Sequence, residues 1–215
     1  MTQPANDKKP KAKRLPRKQR EAQMLEAAAR EFGRQGYETT SMDDIAAACG
    51  VTKPMLYNYF GSKDGLYCAM IDRAGSHLVK SMMALAQEPD PLRRLQGALH
   101  VFLDFVSQHQ DSWRMVFASD GGGAGEQSRI SNYRQQVMTA TIFTLAEMKP
   151  EALPFKQAQQ FVEPYAYGLL GAGEAIAQWW ISSTDADIST ARAAISRMIE
   201  GTADQVTQLL AQITH

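Results

Sequence analysis

The chain is poor in cysteine, has no long apolar run and shows no metal-ligand spacing, and each absence removes a class of function. Only Cys49 and Cys68 occur in 215 residues. The N-terminus has no apolar segment of the kind a secretory signal needs, so neither export nor a structural disulfide is expected. No apolar run approaches the ~20 residues that span a bilayer, and a cytoplasmic protein with no membrane partner is the simplest reading. The histidines, His77, His100, His109 and His215, form no HExxH and no paired spacing on one helix. Two cysteines without a nearby partner do not close a zinc site. No serine stands in a GxSxG context, and no Cys–His pair is identifiable. No enzyme, metal or cofactor is therefore expected. The glycine-rich stretch Asp120–Glu126 lacks the following Gly-Lys-Ser/Thr and no strand precedes it, so it reads as a loop rather than a phosphate cradle.

What is present is helical periodicity and a lopsided charge. Hydrophobic residues make up 44% of the chain, enough for a real core. Net charge is zero, yet residues 1–20 hold eight basic side chains against Asp7 alone. That arm carries +7 and the remainder −7. A basic arm on an acidic body suits a polyanion bound at one end, although a solubilising tail has the same composition.

The first helix is expected over 17–35, with Met24, Leu25, Ala28 and Phe32 on one stripe and Gly36 as its stop. Ser41 is placed to cap a short second helix, with Asp44 three residues on as the capping-box acid, and Gly50 ends it. Thr52 is placed to cap a third, with Pro54 in its first turn and Gly61 after it. Ser62 caps a fourth that reaches the mid-80s, where Pro89 and Pro91 stop it. Further helices are expected at roughly 92–109, 111–118, 127–148, 155–181 and 188–213. The fold class is all-α: a small N-terminal three-helix unit plus a larger C-terminal helical bundle. The divisions are 1–19 for a basic flexible arm, 20–66 for the helix-turn-helix and 67–215 for the bundle.

Two short helices joined by Cys49, Gly50, Val51 and Thr52 have the helix-turn-helix layout. Ala46 and Ala47 are small where the helices pack. Ile45, Val51, Leu56, Phe60 and Phe32 can seal a small core. The second helix of such a motif enters the major groove with its N-terminal residues at the base edges.

Residues 20–66 resemble the TetR family of bacterial regulators. The match runs in order through Leu25, Ala28, Phe32, Gly36, Tyr37, Thr40, Ser41, Met42, Ile45, Ala46, Gly50, Val51, Thr52, Lys53, Leu56, Tyr57, Tyr59, Phe60, Ser62, Lys63 and Leu66. The resemblance implies phosphate contacts from Thr52, Tyr57, Tyr59 and Lys63. It implies groove contacts from Lys53, Pro54, Met55 and Asn58, with Thr40 and Met42 at the backbone or the groove rim. Lys53 is suited to guanine O6/N7, Asn58 to an adenine edge or a phosphate, and Pro54 and Met55 to thymine methyls. Pro54 departs from the small residue common at its position. Tyr57 and Tyr59 also fit a core role, and Met42 fits packing better than readout.

The resemblance implies an N-terminal helix-turn-helix DNA-binding domain, and beyond about residue 70 it implies architecture alone: a C-terminal helical bundle for ligand binding and dimerisation. The run Tyr165–Trp180 is apolar almost all round and is expected to be buried. Its Gly168, Gly171, Ala172 and Ala175, with Met198 and Leu209 of the last helix, are the expected homodimer interface; an intramolecular core is the alternative. Phe102, Phe105, Trp113, Phe117, Met138 and Phe143 suit plain core packing residue by residue, and as a set suit the wall of an apolar ligand cavity. Ser112, Trp113 and Arg114 faintly resemble regulators that sense fatty-acyl molecules. The expected function is thus a sequence-specific transcriptional regulator, a repressor of operator DNA released or modulated by a small hydrophobic effector. The alternative is a ligand- or partner-binding helical protein of the same fold without operator function.

Overall fold

The computed structural model describes residues 15–110, 113 and 124–213, with side chains in the last segment from Ser128 onward. Eight α-helices occur among them, and no strand. Helix α1 is Arg17–Gln35, α2 Met42–Cys49, α3 Lys53–Phe60, α4 Lys63–Met83, α5 Pro91–Gln108, α6 Ala124–Ala146, α7 Phe155–Ser182 and α8 Ile188–Ile213. A 3₁₀ turn, Ala84–Gln87, follows α4.

Local chemistry sets the first four helices. The Gly36 N–H closes α1 on the Phe32 carbonyl at 2.8 Å, with φ at 84°. Ser41 and Asp44 form a reciprocal capping box: the Asp44 N–H donates to Ser41 Oγ at 3.2 Å and the Ser41 N–H to Asp44 Oδ2 at 2.9 Å. Gly50 ends α2 in the left-handed region at φ 64°, which only glycine occupies without cost. Ser62 Oγ accepts the Gly65 N–H at 2.9 Å and starts α4. Thr52 precedes α3, but its side chain makes no capping bond. Here the turn and Pro54 in the first helical positions start the helix without a hydroxyl cap.

These helices share one core, built from Met24, Leu25, Ala28 and Phe32 of α1, Met42, Ile45, Ala46 and Cys49 of α2, Leu56 of α3 and Leu66, Tyr67, Met70 and Ile71 of α4. Tyr67 meets Phe32 edge-on at 5.5 Å. Helix α4 crosses the 66/67 division without a break, so it belongs to both units. Helix α1 takes in Arg17 and Lys18, which shortens the basic arm; residues 1–14 of that arm lie outside the described residues.

The remaining helices pack into the second unit. Its main core joins Leu95, Leu99 and Leu103 of α5, Met138, Ile142 and Leu145 of α6, Val162 of α7 and Ile195, Ile199 and Leu210 of α8. Helix α6 starts at Ala124, three positions inside the stretch read as a loop up to Glu126. The helix expected over 111–118 lies outside the described residues apart from Trp113. Helix α7 is not buried all round. One flank packs inward through Ala158, Val162, Ala166, Gly173 and Ala177, while Phe161, Gly168, Gly171, Ala175 and Trp179 remain exposed. Pro164 sits on the exposed side of this helix, where the backbone carbonyl it leaves unpaired can be reached by water.

Candidate nucleic-acid interface and the cavity behind it

Helix α3 anchors itself through Leu56, which is fully buried. The residues around it therefore point outward. Thr52, Lys53, Pro54, Met55, Tyr57 and Asn58 are all exposed, and Tyr57 keeps 44% of its surface open. A protruding helix start with mixed polar and apolar side chains has the shape and chemistry of a major-groove reader.

Tyr59 divides its roles. Its ring is partly buried against the core, 5.9 Å from Phe60, and the Arg17 guanidinium lies 5.2 Å above it. Lys63 is held at the start of α4, its Nζ 3.3 Å from the Glu38 carbonyl and 4.3 Å from the Tyr37 ring centre. Tyr37 in turn donates a hydrogen bond to Asp64. Lys53 Nζ lies 2.8 Å from Asp43 Oδ2, linking the starts of α3 and α2. That carboxylate holds the Lys53 ammonium above its ordinary pKa.

Two residues expected at this interface are withdrawn from it. Thr40 is 1% exposed, and its hydroxyl donates to the carbonyls of Gly36 at 2.8 Å and Glu31 at 3.2 Å. It fastens the end of α1 to the start of α2, which leaves no hydroxyl for a phosphate. Met42 is buried in the core beside Ile45, because the N-terminal turn of α2 packs on α1. Sequence reasoning gave Asp43 a helix-dipole role only, counted Arg17 in the basic arm and named Tyr37 only in the family match. Asp43 was findable: Asp44 supplies the cap, so a second adjacent carboxylate is not needed for it.

Behind this unit lies a cavity of about 170 Å³ between α4, α5, α6, α7 and α8. Phe102, Phe105 and Trp113 line it, as do Leu78, Val137, Leu169 and Leu170. Met138 does not: it packs in the neighbouring core, one position off the wall formed by Val137 and Thr141. Phe143 is 50% exposed and tilts against Phe155 at 5.0 Å, also away from the cavity. Phe117 lies outside the described residues. Charge enters the wall through Arg134 and Glu174, which pair with each other, Arg134 Nε donating to Glu174 Oε1 at 2.7 Å.

Cavity and helix-turn-helix share residues. Ile71 belongs to the core of the N-terminal unit and also lines the cavity. Ile130 and Tyr133 of α6 line the cavity and pack against that same core. The Tyr133 hydroxyl lies 2.9 Å from Ser76 Oγ and 3.2 Å from Asp72 Oδ1, and Arg129 pairs with Asp72 as well.

On the far side, α7 and α8 leave an open strip. Gly168 and Gly171 are exposed, with nothing within 4 Å of where a Cβ would stand. Ala175 is exposed beside them and Ala172 partly so. Met198 of α8 is 43% exposed, and Leu209 is half-buried. Among the described residues no cluster could hold a metal ion, and no helix is long and apolar enough to cross a membrane.

Residues 24–70 match the family model for bacterial regulatory proteins of the tetR family, and residues 91–212 match the tetracyclin repressor-like C-terminal domain. The chain is 31% identical over 171 residues to the HTH-type transcriptional activator FasR of Mycolicibacterium smegmatis, across 79% of this chain and 76% of that protein. A TetR-like transcriptional regulator from Rhodococcus sp. RHA1 superimposes with a TM-score of 0.72 at 32% identity, over 87% of this chain and 97% of that one. The fatty acid degradation regulator FadR from Bacillus halodurans has the same fold, with a TM-score of 0.62 at 13% identity over 86% and 97% of the two chains. An exposed reading helix on a three-helix core, continuous through α4 with a helical bundle, is thus matched along both of its parts: the chain belongs to the TetR family of DNA-binding transcriptional regulators.

Proposed function

We propose that this protein binds operator DNA as a homodimer and that a small apolar effector sets its occupancy of that DNA. The observation that carries the reading is the wall shared between the cavity and the helix-turn-helix core, through Ile71, Ile130 and Tyr133. The cavity, about 170 Å³, is smaller than the roughly 300–1,000 Å³ of most small-molecule sites. A ligand of ordinary size that enters fully would push α4, α5 and α6 apart. Because α4 also carries Leu66, Tyr67 and Met70 of the helix-turn-helix core, that push reorients the reading head. Ligand and DNA then favour different arrangements, which is the requirement for coupling between two sites.

The wall selects the ligand class. Among the described lining residues the charges of Arg134 and Glu174 neutralise each other, and the rest are overwhelmingly aliphatic and aromatic. A neutral apolar chain fits, a fatty-acyl group among the candidates. The fatty acid degradation regulator FadR from Bacillus halodurans, which shares the fold, is named for that class. Release of a repressor is the simplest output, although the FasR relative is named an activator.

At the DNA, Thr52, Tyr57, Tyr59 and Lys63 are assigned to phosphates, and Lys53, Pro54, Met55 and Asn58 to the groove. The N-terminal basic arm adds salt-dependent attraction. The dimer forms where α7 and α8 expose Gly168, Gly171, Ala175 and Met198, since small residues let two helices approach closely and two reading heads are needed for two half-sites. A protein doing this work resides in the cytoplasm with the DNA. Native mass spectrometry of the purified protein tests the ligand claim. A co-purified apolar molecule whose removal changes DNA affinity at least several-fold is the expected result. No bound molecule, together with indifference of DNA affinity to added fatty-acyl compounds, overturns it.

A further inference from the structure

We propose that Asp43 is a specificity-determining residue, and that its carboxylate and the Lys53 ammonium form one reading unit for a G·C base pair in each half-site. The inference rests on the DNA-binding assignment above. Three observations lead to it. Asp43 Oδ2 and Lys53 Nζ are 2.8 Å apart, joining the second residue of α2 to the first residue of α3. Both side chains are largely exposed, as are Pro54 and Met55, which follow Lys53 in the first turn of α3. Helix α2 has no need of Asp43 as a cap, because Ser41 and Asp44 already make both bonds of the capping box.

An exposed ion pair contributes little to stability. On a surface that meets a polyanion, a carboxylate also works against phosphate binding. As a first-turn carboxylate Asp43 suits the dipole of α2, a role Asp44 already fills beside it, and base recognition gives Asp43 a further use. In the major groove guanine offers O6 and N7 as acceptors and its cytosine partner offers N4–H as a donor. Lys53 can give two N–H groups to guanine while it stays bonded to Asp43, and the carboxylate can accept from cytosine N4. An A·T pair places the adenine N6–H donor between its two acceptors, N7 and O4, so the ammonium finds no adjacent pair of acceptors and the carboxylate meets O4 where cytosine offers N4–H. The linked pair thus matches the order of donors and acceptors on one G·C edge. It also keeps Lys53 from reaching a phosphate, so its charge is used for discrimination rather than for general affinity.

Selection of binding sites from randomised duplex DNA, run in parallel on the full-length wild type, Asp43→Asn, Asp43→Ala and Lys53→Met, tests this. Wild type should select a half-site with an invariant G·C pair. All three variants should lose preference at that position by roughly tenfold and keep it elsewhere, in line with the usual cost of one mismatch. The double variant Asp43→Asn/Lys53→Met should lose no more than either single one. Thermal melting of Asp43→Asn should stay close to wild type, with only the small loss expected from one first-turn charge, since the residue is exposed and uninvolved in the cap. An unchanged selected site in both Asp43 variants overturns the proposal. So does a salt dependence that steepens by about one phosphate contact with no change in site preference, which would make Asp43 a mere screen for Lys53. Failure of wild type to select any site overturns the DNA-binding assignment itself and is recognisable as such.

Discussion

Tyr133 of α6 lies directly over Gly75 of α4: a Cβ placed on Gly75 would stand 2.4 Å from Tyr133 Cδ2. Only a residue without a side chain lets the two helices meet at this point. The same tyrosine lines the cavity and packs on the helix-turn-helix core. The contact therefore sits where ligand and DNA would compete for the position of α4.

Gly75→Ala should displace Tyr133 and imitate ligand. The expected cost in stability is roughly 1–3 kcal/mol, the usual range for overpacking. DNA affinity of the apo protein should fall by more than that of a control substitution with equal loss of stability. Thermal melting paired with fluorescence anisotropy on operator DNA separates the two effects. Unchanged DNA affinity would remove this contact from the coupling route.

Gly65→Ala should be costly for a different reason. A Cβ there would stand 2.0 Å from the Phe60 carbonyl oxygen, a backbone atom that cannot rotate away. The turn between α3 and α4 would open and the Ser62 cap on the Gly65 N–H would be lost. A stability loss on the order of 1–3 kcal/mol is expected from overpacking plus the lost cap. Chemical denaturation should show it as a lower midpoint at constant slope.

Acid should weaken the fold before any carboxylate titrates. His109 keeps much of its surface exposed, but desolvation by its neighbours is the main cause that pushes it below the ordinary imidazole value, with His77 and Arg73 adding like charge and Glu26 opposing them. The effect on stability is therefore small. The unfolded chain then binds the proton more readily than the folded one. Stability is full above the unfolded pKa, about 6.5, and is lost as pH falls through the lower folded value. A melting series from pH 8 to pH 5 should show that decline, and His109→Gln should flatten it. A second loss is expected at lower pH. Hydrogen bonds from Ser41 hold the Asp44 carboxyl below its ordinary pKa, and protonation there removes the capping box.

Ala175→Glu should split the dimer. Residue 175 is exposed on α7 in the single chain, so a larger side chain meets no atoms of its own protomer core. In a pair of chains joined along α7 and α8 it places two carboxylates in an apolar seam. Light scattering should give the dimer mass for wild type and the monomer mass for the variant, with far-ultraviolet circular dichroism unchanged. A dimeric Ala175→Glu would place the interface elsewhere.

The N-terminal unit was legible because its signals are local. Gly36, Ser41, Asp44, Gly50, Gly61 and Ser62 each stop or start a helix through bonds within four residues, and the structure has a helix end at each. The side-chain assignments at helix starts were less legible. Thr40 and Met42 flank Ser41 in sequence, and only the packing of α2 on α1 turns both inward. The cavity was harder again. Helix α6 offers apolar residues on adjoining flanks, so Val137 faces the cavity, Met138 the core and Phe143 the solvent. Composition does not distinguish those three. Tyr165–Trp180 reads as buried for a related reason: apolar residues look alike whether one chain or two will cover them.

The most direct test of the whole account is a titration of full-length protein against its selected operator and a scrambled duplex, across a range of salt, for wild type, Tyr57→Ala and Lys63→Ala. The account predicts that wild type binds the operator at least ~10³-fold more tightly than the scrambled duplex. It predicts that Tyr57→Ala weakens operator binding. Lys63→Ala should weaken both duplexes alike and reduce the salt slope by about 0.9, the loss of one phosphate contact. Equal affinity for the two duplexes, with Tyr57→Ala indistinguishable from wild type, would contradict it.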